Sequence, residues 1–240
     1  MRSAPEPLIS LSNLHIAHGQ PEPSRWSLRI PSLKLERAAL YMLVGENMCG
    51  KSTLLRVLAG QHDAGLPNCA RDVVNAELKN TRVLLAAADD PMFRDWTVTD
   101  NVMVAAPELL RDRQKARREV SSLLSALNTQ FGWSIVESSP LRSLSTGARA
   151  FVQLVRAQVV RPQLHLIDEI TSNLDEAKSR YFIEAVCRLA ADALTTVVIV
   201  SHSSRDQQLF VEVAQTKGIV CKKIMLCLCA GEETVCLKEE

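Results

Sequence analysis

The sequence predicts an α/β protein built around a phosphate-binding loop, and two observations carry that expectation. A continuous apolar run, Ala38-Ala39-Leu40-Tyr41-Met42-Leu43-Val44, leads into Gly45-Glu46-Asn47-Met48-Cys49-Gly50-Lys51-Ser52-Thr53, and a helical pattern follows at once. The spacing G-x-x-x-x-G-K-[ST], set between a strand and a helix, is the context in which this motif cradles a nucleotide. From residue 163 onward, apolar strands alternate with amphipathic helices, the pattern of a parallel sheet covered by helices.

The elements follow in order. Residues 1 to 45 read as short strands with loops, including the proline-rich Gln20-Pro21-Glu22-Pro23-Ser24. The helix after the loop runs through Leu54, Leu55, Val57 and Leu58 and closes at Gly60. Residues 66 to 82 mix polar and apolar side chains, and Val83-Leu84-Leu85 then reads as a strand. Thr97 with Asp100 three places on resembles a capping box. Pro107 is expected to open a long helix with Leu110, Leu123, Leu124 and Leu127 on its apolar face; its basic stretch, Arg111 to Arg118, reads as a solvated face. A strand over Leu164 to Ile167, a helix over Glu176 to Ala191 and a strand over Thr196 to Val200 come next. Two strands, Ile224 to Ala230 and Thr234 to Leu237, flank Gly231 and account for Cys221, Cys227, Cys229 and Cys236 as small thiols rather than metal ligands.

Bulk composition narrows the function. With 240 residues, 47% hydrophobic, the chain is expected to form one domain or a domain with a subdomain. A net charge of +1 advertises neither nucleic acid nor an anionic membrane. No apolar run approaches the ~20 residues that cross a bilayer. The first residues lack the apolar segment of a signal peptide, and seven cysteines at irregular spacing read as free thiols in a reducing compartment. The expected setting is cytosolic.

The loop's chemistry rests on its backbone. Successive N–H groups and the following helix N-terminus form an anion site, Lys51 would reach the β- and γ-phosphates, and the Ser52 hydroxyl would ligate Mg²⁺. None of these contacts needs the side chains of Met48 or Cys49. Downstream, Asp168 ends an apolar strand where it would hold Mg²⁺, and Glu169 follows with a carboxylate able to polarise a water against the γ-phosphate. His202, just past another strand, would contact the same phosphate.

Leu141 to Asp175, LRSLSTGARAFVQLVRAQVVRPQLHLIDEITSNLD, resembles the signature, Walker B and D-loop block of ABC-type ATPases, and Val197-Val198-Ile199-Val200-Ser201-His202 resembles the strand that ends in the switch histidine of that family. The resemblance implies a P-loop NTPase core of ABC-ATPase type with a small antiparallel β region and a helical subdomain over roughly residues 90–160, in a single nucleotide-binding domain spanning 1–240. It implies an ATP-binding, ATP-hydrolysing subunit with Mg²⁺, dimerising head to tail with a copy of itself or another nucleotide-binding domain. Each ATP would lie between the loop of one subunit and Ser145, Thr146 and Gly147 of the other, with Asp175 at the same interface. Separate transmembrane subunits would form the pore, so the chain would sit in the cytoplasm, peripheral on the inner face of the cell membrane, without a nucleic-acid partner.

Departures from the family pattern are specific. Thr146 stands at a glycine position and Ala148 where glutamine is common. Ala86-Ala87-Ala88-Asp89 precedes Asp90-Pro91-Met92 without the usual glutamine, leaving Asp89 either near Mg²⁺ or as ordinary loop acidity. His18 stands where an aromatic ring commonly stacks on adenine. Two alternatives follow: a regulatory, weakly hydrolysing subunit paired with a more typical ATPase, and a soluble ABC ATPase outside transport.

Overall fold

The strands that carry the motifs are apolar along their length because both of their faces are covered. In the computed structural model, which describes residues 7–17, 27–61, 68–87, 92–105, 112–228 and 234–239, Leu40–Gly45 (β3), Thr196–Val200 (β6) and Leu164–Asp168 (β5) lie side by side in parallel. Val83–Ala87 (β4) pairs parallel with β5 at the sheet edge. On the other flank of β3 come Cys221–Leu228 (β7), Thr234–Glu239 (β8), Ser27–Leu35 (β2) and Ile9–Ala17 (β1). The β7–β8 and β1–β2 pairs are antiparallel. Among the described residues this is one eight-stranded sheet in the order β1-β2-β8-β7-β3-β6-β5-β4.

Alternation along each central strand divides the interior into two cores. Tyr41 and Leu43 of β3 face one layer with Leu54, Leu55 and Leu58, while Leu40 and Met42 face the other with Phe151, Phe182 and Phe210. The first layer holds Lys51–Leu58 (α1) and the packed Val74 of Asn68–Leu78 (α2). The second holds Val98–Met103 (α3), Arg113–Phe131 (α4), Thr146–Val160 (α5), Glu176–Asp192 (α6) and Ser204–Thr216 (α7). Phe151 anchors this second layer, fully buried, with its ring 5.1 Å from that of Phe131 and 5.9 Å from that of Phe182. Burying one such side chain is worth ~1.5–3 kcal/mol.

Local chemistry sets the helix ends. Thr97 Oγ1 accepts from the Asp100 amide, as its spacing predicts, but the Asp100 carboxylate takes the Thr97 hydroxyl instead of reaching back to the backbone. The expected opening at Pro107 lies outside the described residues; α4 runs from Arg113, with Asp112 accepting from the Lys115 amide as its cap. Its buried positions are Ala116, Val120, Leu124 and Leu127, while Leu123 is partly buried against the same core. Helices α2 and α7 have no counterpart among the sequence expectations, although Ser203 and Asp206 give α7 a cap of the same Ser-x-x-acid form.

Candidate functional site

Parallel strands deliver their C-terminal ends to one edge of the sheet, the usual place for a ligand in such folds. Here β3, β6 and β5 end beside one another, and the next residues are the Glu46–Gly50 loop, the Ser201–Ser203 turn and Glu169. Register makes the last two adjacent, because Asp168 pairs with Val200. A cavity of about 460 Å³ opens there, lined by Met48, Gly50, Lys51, Ser52, Thr53, Glu169 and His202.

The loop is built by two glycines. A Cβ on Gly45 would come within 2.6 Å of the Leu226 carbonyl and 2.7 Å of Cys49 Sγ, so nothing larger fits. Gly50, at φ 94°, turns the chain into α1 without offering a side-chain cap. Thr97, Asp112, Ser145, Asp175 and Ser203 cap α3 to α7, whereas the first N–H groups of α1 face the cavity uncapped by a side chain. Those donors and the positive end of the helix form an anion site.

Three loop side chains behave differently from one another. Lys51 is buried, and its Nζ donates to the carbonyls of Gly45 at 2.9 Å and Glu46 at 2.7 Å, with Cys49 Sγ at 3.8 Å. It therefore braces the loop as well as lining the cavity. Cys49 is 3% exposed and belongs to the core beneath the loop, which the sequence did not reveal. Met48 is 93% exposed and holds φ 62°, an uncommon left-handed conformation for a residue with a Cβ.

Opposite the loop, Nε2 of His202 lies 2.8 Å from Oε1 of Glu169. Glu169 is itself left-handed, at φ 52°. Its amide donates to Val200 O at 3.1 Å, while its carbonyl accepts from the Ser172 amide and hydroxyl, and these contacts hold the strained turn. On the histidine side, Gln207 Nε2 donates to Ser201 O at 2.6 Å and fixes the turn that carries His202. Asp168 is buried at the end of β5, one residue short of Glu169, and does not reach the cavity wall.

A family model described as ABC transporter matches residues 28–172. The chain belongs to the ABC transporter family. This ABC-type chain is 30% identical over 205 residues to the sulfate/thiosulfate import ATP-binding protein CysA of Pseudomonas syringae pv. tomato, an overlap covering 81% of the chain and 60% of that relative. To ABC transporter G family member 23 of Arabidopsis thaliana it is 28% identical over 231 residues, 83% of the chain and 36% of the relative. The chain thus spans less than two thirds of the length of these relatives. Its fold is shared with a putative metal-chelate type ABC transporter in an inward-facing conformation, at TM-score 0.64 and 21% identity over 96% of this chain and 82% of that one. A nucleotide-free ATP-binding cassette from an ABC transporter gives TM-score 0.62 at 15% identity, over 95% of this chain and 89% of that one. The α/β core of ABC-ATPase type read from the motifs is the fold observed.

Ser145, Thr146, Gly147 and Asp175 of this ABC-type chain do not line the cavity. Ser145 Oγ caps α5 by accepting from the Ala148 amide at 3.2 Å, and Thr146 Oγ1 accepts from Arg149 Nη2 at 3.2 Å. Among the described residues, a Cβ at Gly147 would meet only Leu174 Cδ2 at 3.5 Å, an ordinary contact that does not demand glycine there. Asp175 caps α6 and pairs with the Lys178 ammonium, whose hydrogen bond holds the Asp175 carboxyl below the usual carboxylate range. His18, Ala88 and Asp89 lie outside the described residues.

Proposed function

We propose that the chain is the ATP-binding and ATP-hydrolysing subunit of an ABC transporter, powering transport through separate membrane subunits. The observation that carries this reading is the Glu169–His202 pair, set across one cavity from Lys51 and the uncapped start of α1. Backbone donors of Gly45 to Thr53 hold the phosphates, and Lys51 turns its ammonium from the loop carbonyls toward them. Ser52 and the buried Asp168 offer only hydroxyl and carboxylate oxygen, a donor set that suits Mg²⁺. Bound there, Mg²⁺ would neutralise phosphate charge during transfer. Glu169 accepts the proton of the attacking water, and His202 orients that carboxylate.

Ser145, Thr146, Gly147 and Asp175 sit off the cavity in their own chain, which supports their serving the nucleotide of a second cassette, either a copy of this chain or a different one. A membrane partner is supported by exposed apolar surface around α3. Phe93 and Trp96 stack at 4.2 Å while about half exposed, and Val104 lines an adjoining cavity of about 410 Å³ with Arg113 and Arg117. No helix of the described residues is long and apolar enough to cross a membrane. Such a subunit would work at the cytoplasmic face of the membrane, docked on its partner.

Phosphate release from Mg-ATP, measured with the chain alone and with co-purified membrane subunits, tests the reading. Turnover that rises with the partner and disappears in Glu169→Gln supports it. Turnover unchanged by that substitution overturns it.

A further inference from the structure

Gln153 sits in the middle of α5, 5% exposed, between buried Val152 and Leu154. Its Nε2 donates to the carbonyl of Ala87 at 2.9 Å, the last residue of β4. Its Oε1 is enclosed without a hydrogen-bond partner. A buried amide satisfied at one end only is costlier than an apolar side chain of the same size, so packing does not account for it. Its location does.

Ala87 is the register partner of Asp168. The Gln153 bond therefore ties α5 to the strand end beside the buried carboxylate. A second tie holds the opposite end of the same contact, where Arg82 Nη1 donates to Val160 O at 2.7 Å, at the last residue of α5. From Gln153 toward its cap at Ser145, the helix continues for ~12 Å at ~1.5 Å per residue. The orientation of that stretch depends on where the helix is pinned to the sheet.

We infer that Gln153 is a positioning residue that pins α5 to the end of β4 and so couples the Ser145–Gly147 end of the helix to the Asp168 strand end. This rests on the proposed ATPase reading, in which Ser145–Gly147 address the nucleotide of a second cassette and Asp168 the Mg²⁺ of their own. Arg82 alone would tie α5 to β4 only at the helix C-terminus. With Gln153 added, a shift of the strand end on nucleotide binding is passed to the helix start.

Hydrogen–deuterium exchange of the full chain with and without Mg-ATP tests this, using Gln153→Met, which keeps length and volume without a donor, and Gln153→Glu. Both should keep the nucleotide-dependent protection of residues 45–53. In Gln153→Met, the nucleotide-dependent change at residues 145–149 should shrink by about fivefold, the weight of one buried hydrogen bond. Its kcat for ATP hydrolysis should fall by a similar factor, with KM within about twofold. Gln153→Glu should recover the change as pH falls and its carboxyl is protonated, because the acid O–H then donates to Ala87 O in place of the amide. A Gln153→Met protein with the parent's exchange change and kcat overturns the inference, as does a Gln153→Glu protein that matches Gln153→Met at every pH. Loss of protection across β4 and β5 without nucleotide would mark a folding defect in the Gln153→Met variant, and the pH response of Gln153→Glu then decides. If the parent shows no protection of residues 45–53 with Mg-ATP, the nucleotide reading itself fails and this inference falls with it.

Discussion

Nε2 of His202 and Oε1 of Glu169 meet at 2.8 Å because β6 and β5, the strands that deliver them, pair in register up to Val200 and Asp168. The chain itself thus orients the carboxylate beside the phosphate loop. Glu169→Gln is expected to lower steady-state ATP turnover by ~10²–10⁴-fold, the usual worth of a positioned base. ATP affinity should change little, because the amide keeps the shape. Stopped-flow nucleotide binding beside phosphate release checks both halves.

Lys51 has two tasks that one substitution separates from the rest of the fold. Removing its ammonium takes away the proposed phosphate contact and also the brace on the Gly45 and Glu46 carbonyls. Lys51→Ala should weaken Mg-ATP binding by at least about tenfold, ~1.4 kcal/mol. Unlike a purely exposed lysine, it should also lower Tm without nucleotide, since charged hydrogen bonds are worth ~1.5–3 kcal/mol. Calorimetric titration and a ligand-free melt read the two effects independently.

Met48 and Cys49 part company. Met48→Gly should stabilise the loop by ~1 kcal/mol through relief of its left-handed backbone, with ATP affinity within about tenfold of the parent. Cys49→Ala should instead cost ~1 kcal/mol, because it empties a packed position beneath Gly45. Urea denaturation of the two single variants should shift in opposite directions.

His165 gives the molecule an acid-sensitive core. Both ring nitrogens are buried without a partner, and burial, with the Arg156 charge nearby, lowers its pKa from 6.5 to about 3. The folded state therefore holds fewer protons than the unfolded state between those values. The penalty for keeping the ring neutral is absent above pH 6.5 and grows as pH falls toward about 3, at ~1.4 kcal/mol per unit. His165→Leu should raise stability at pH 7 and flatten that slope, measured by denaturant midpoints at about pH 5, 6 and 7.5.

Much of this fold was legible because its central strands are spelled as unbroken apolar runs. Leu164 to Ile167 and Thr196 to Val200 emerge as β5 and β6 within a residue of their expected bounds, and β3 ends at the glycine that opens the loop. Helix α2 was not legible, since among its described side chains Val74 and Leu78 alone mark its inner face. Helix α7 carried a readable cap at Ser203 and Asp206 that the histidine just before it overshadowed. At the site, residue types were readable but not their meetings. The approach of Glu169 to His202 depends on strand adjacency, and the inward turn of Cys49 on the close pass of β7 beneath Gly45. Gln153 left no signal, being one polar residue in an apolar helix.

The bare start of α1 has a consequence for the cell as well as for the site. Helices α3 to α7 each take a side-chain cap from this chain, but Lys51–Leu58 has none and leaves its first donors to an acceptor from solution. An anionic ligand that supplies it contributes to folding by mass action, and each tenfold rise in its free concentration above Kd adds ~1.4 kcal/mol. The unfolding midpoint is then set partly by the nucleotide pool, and starvation would leave the protein less durable without altering a single residue.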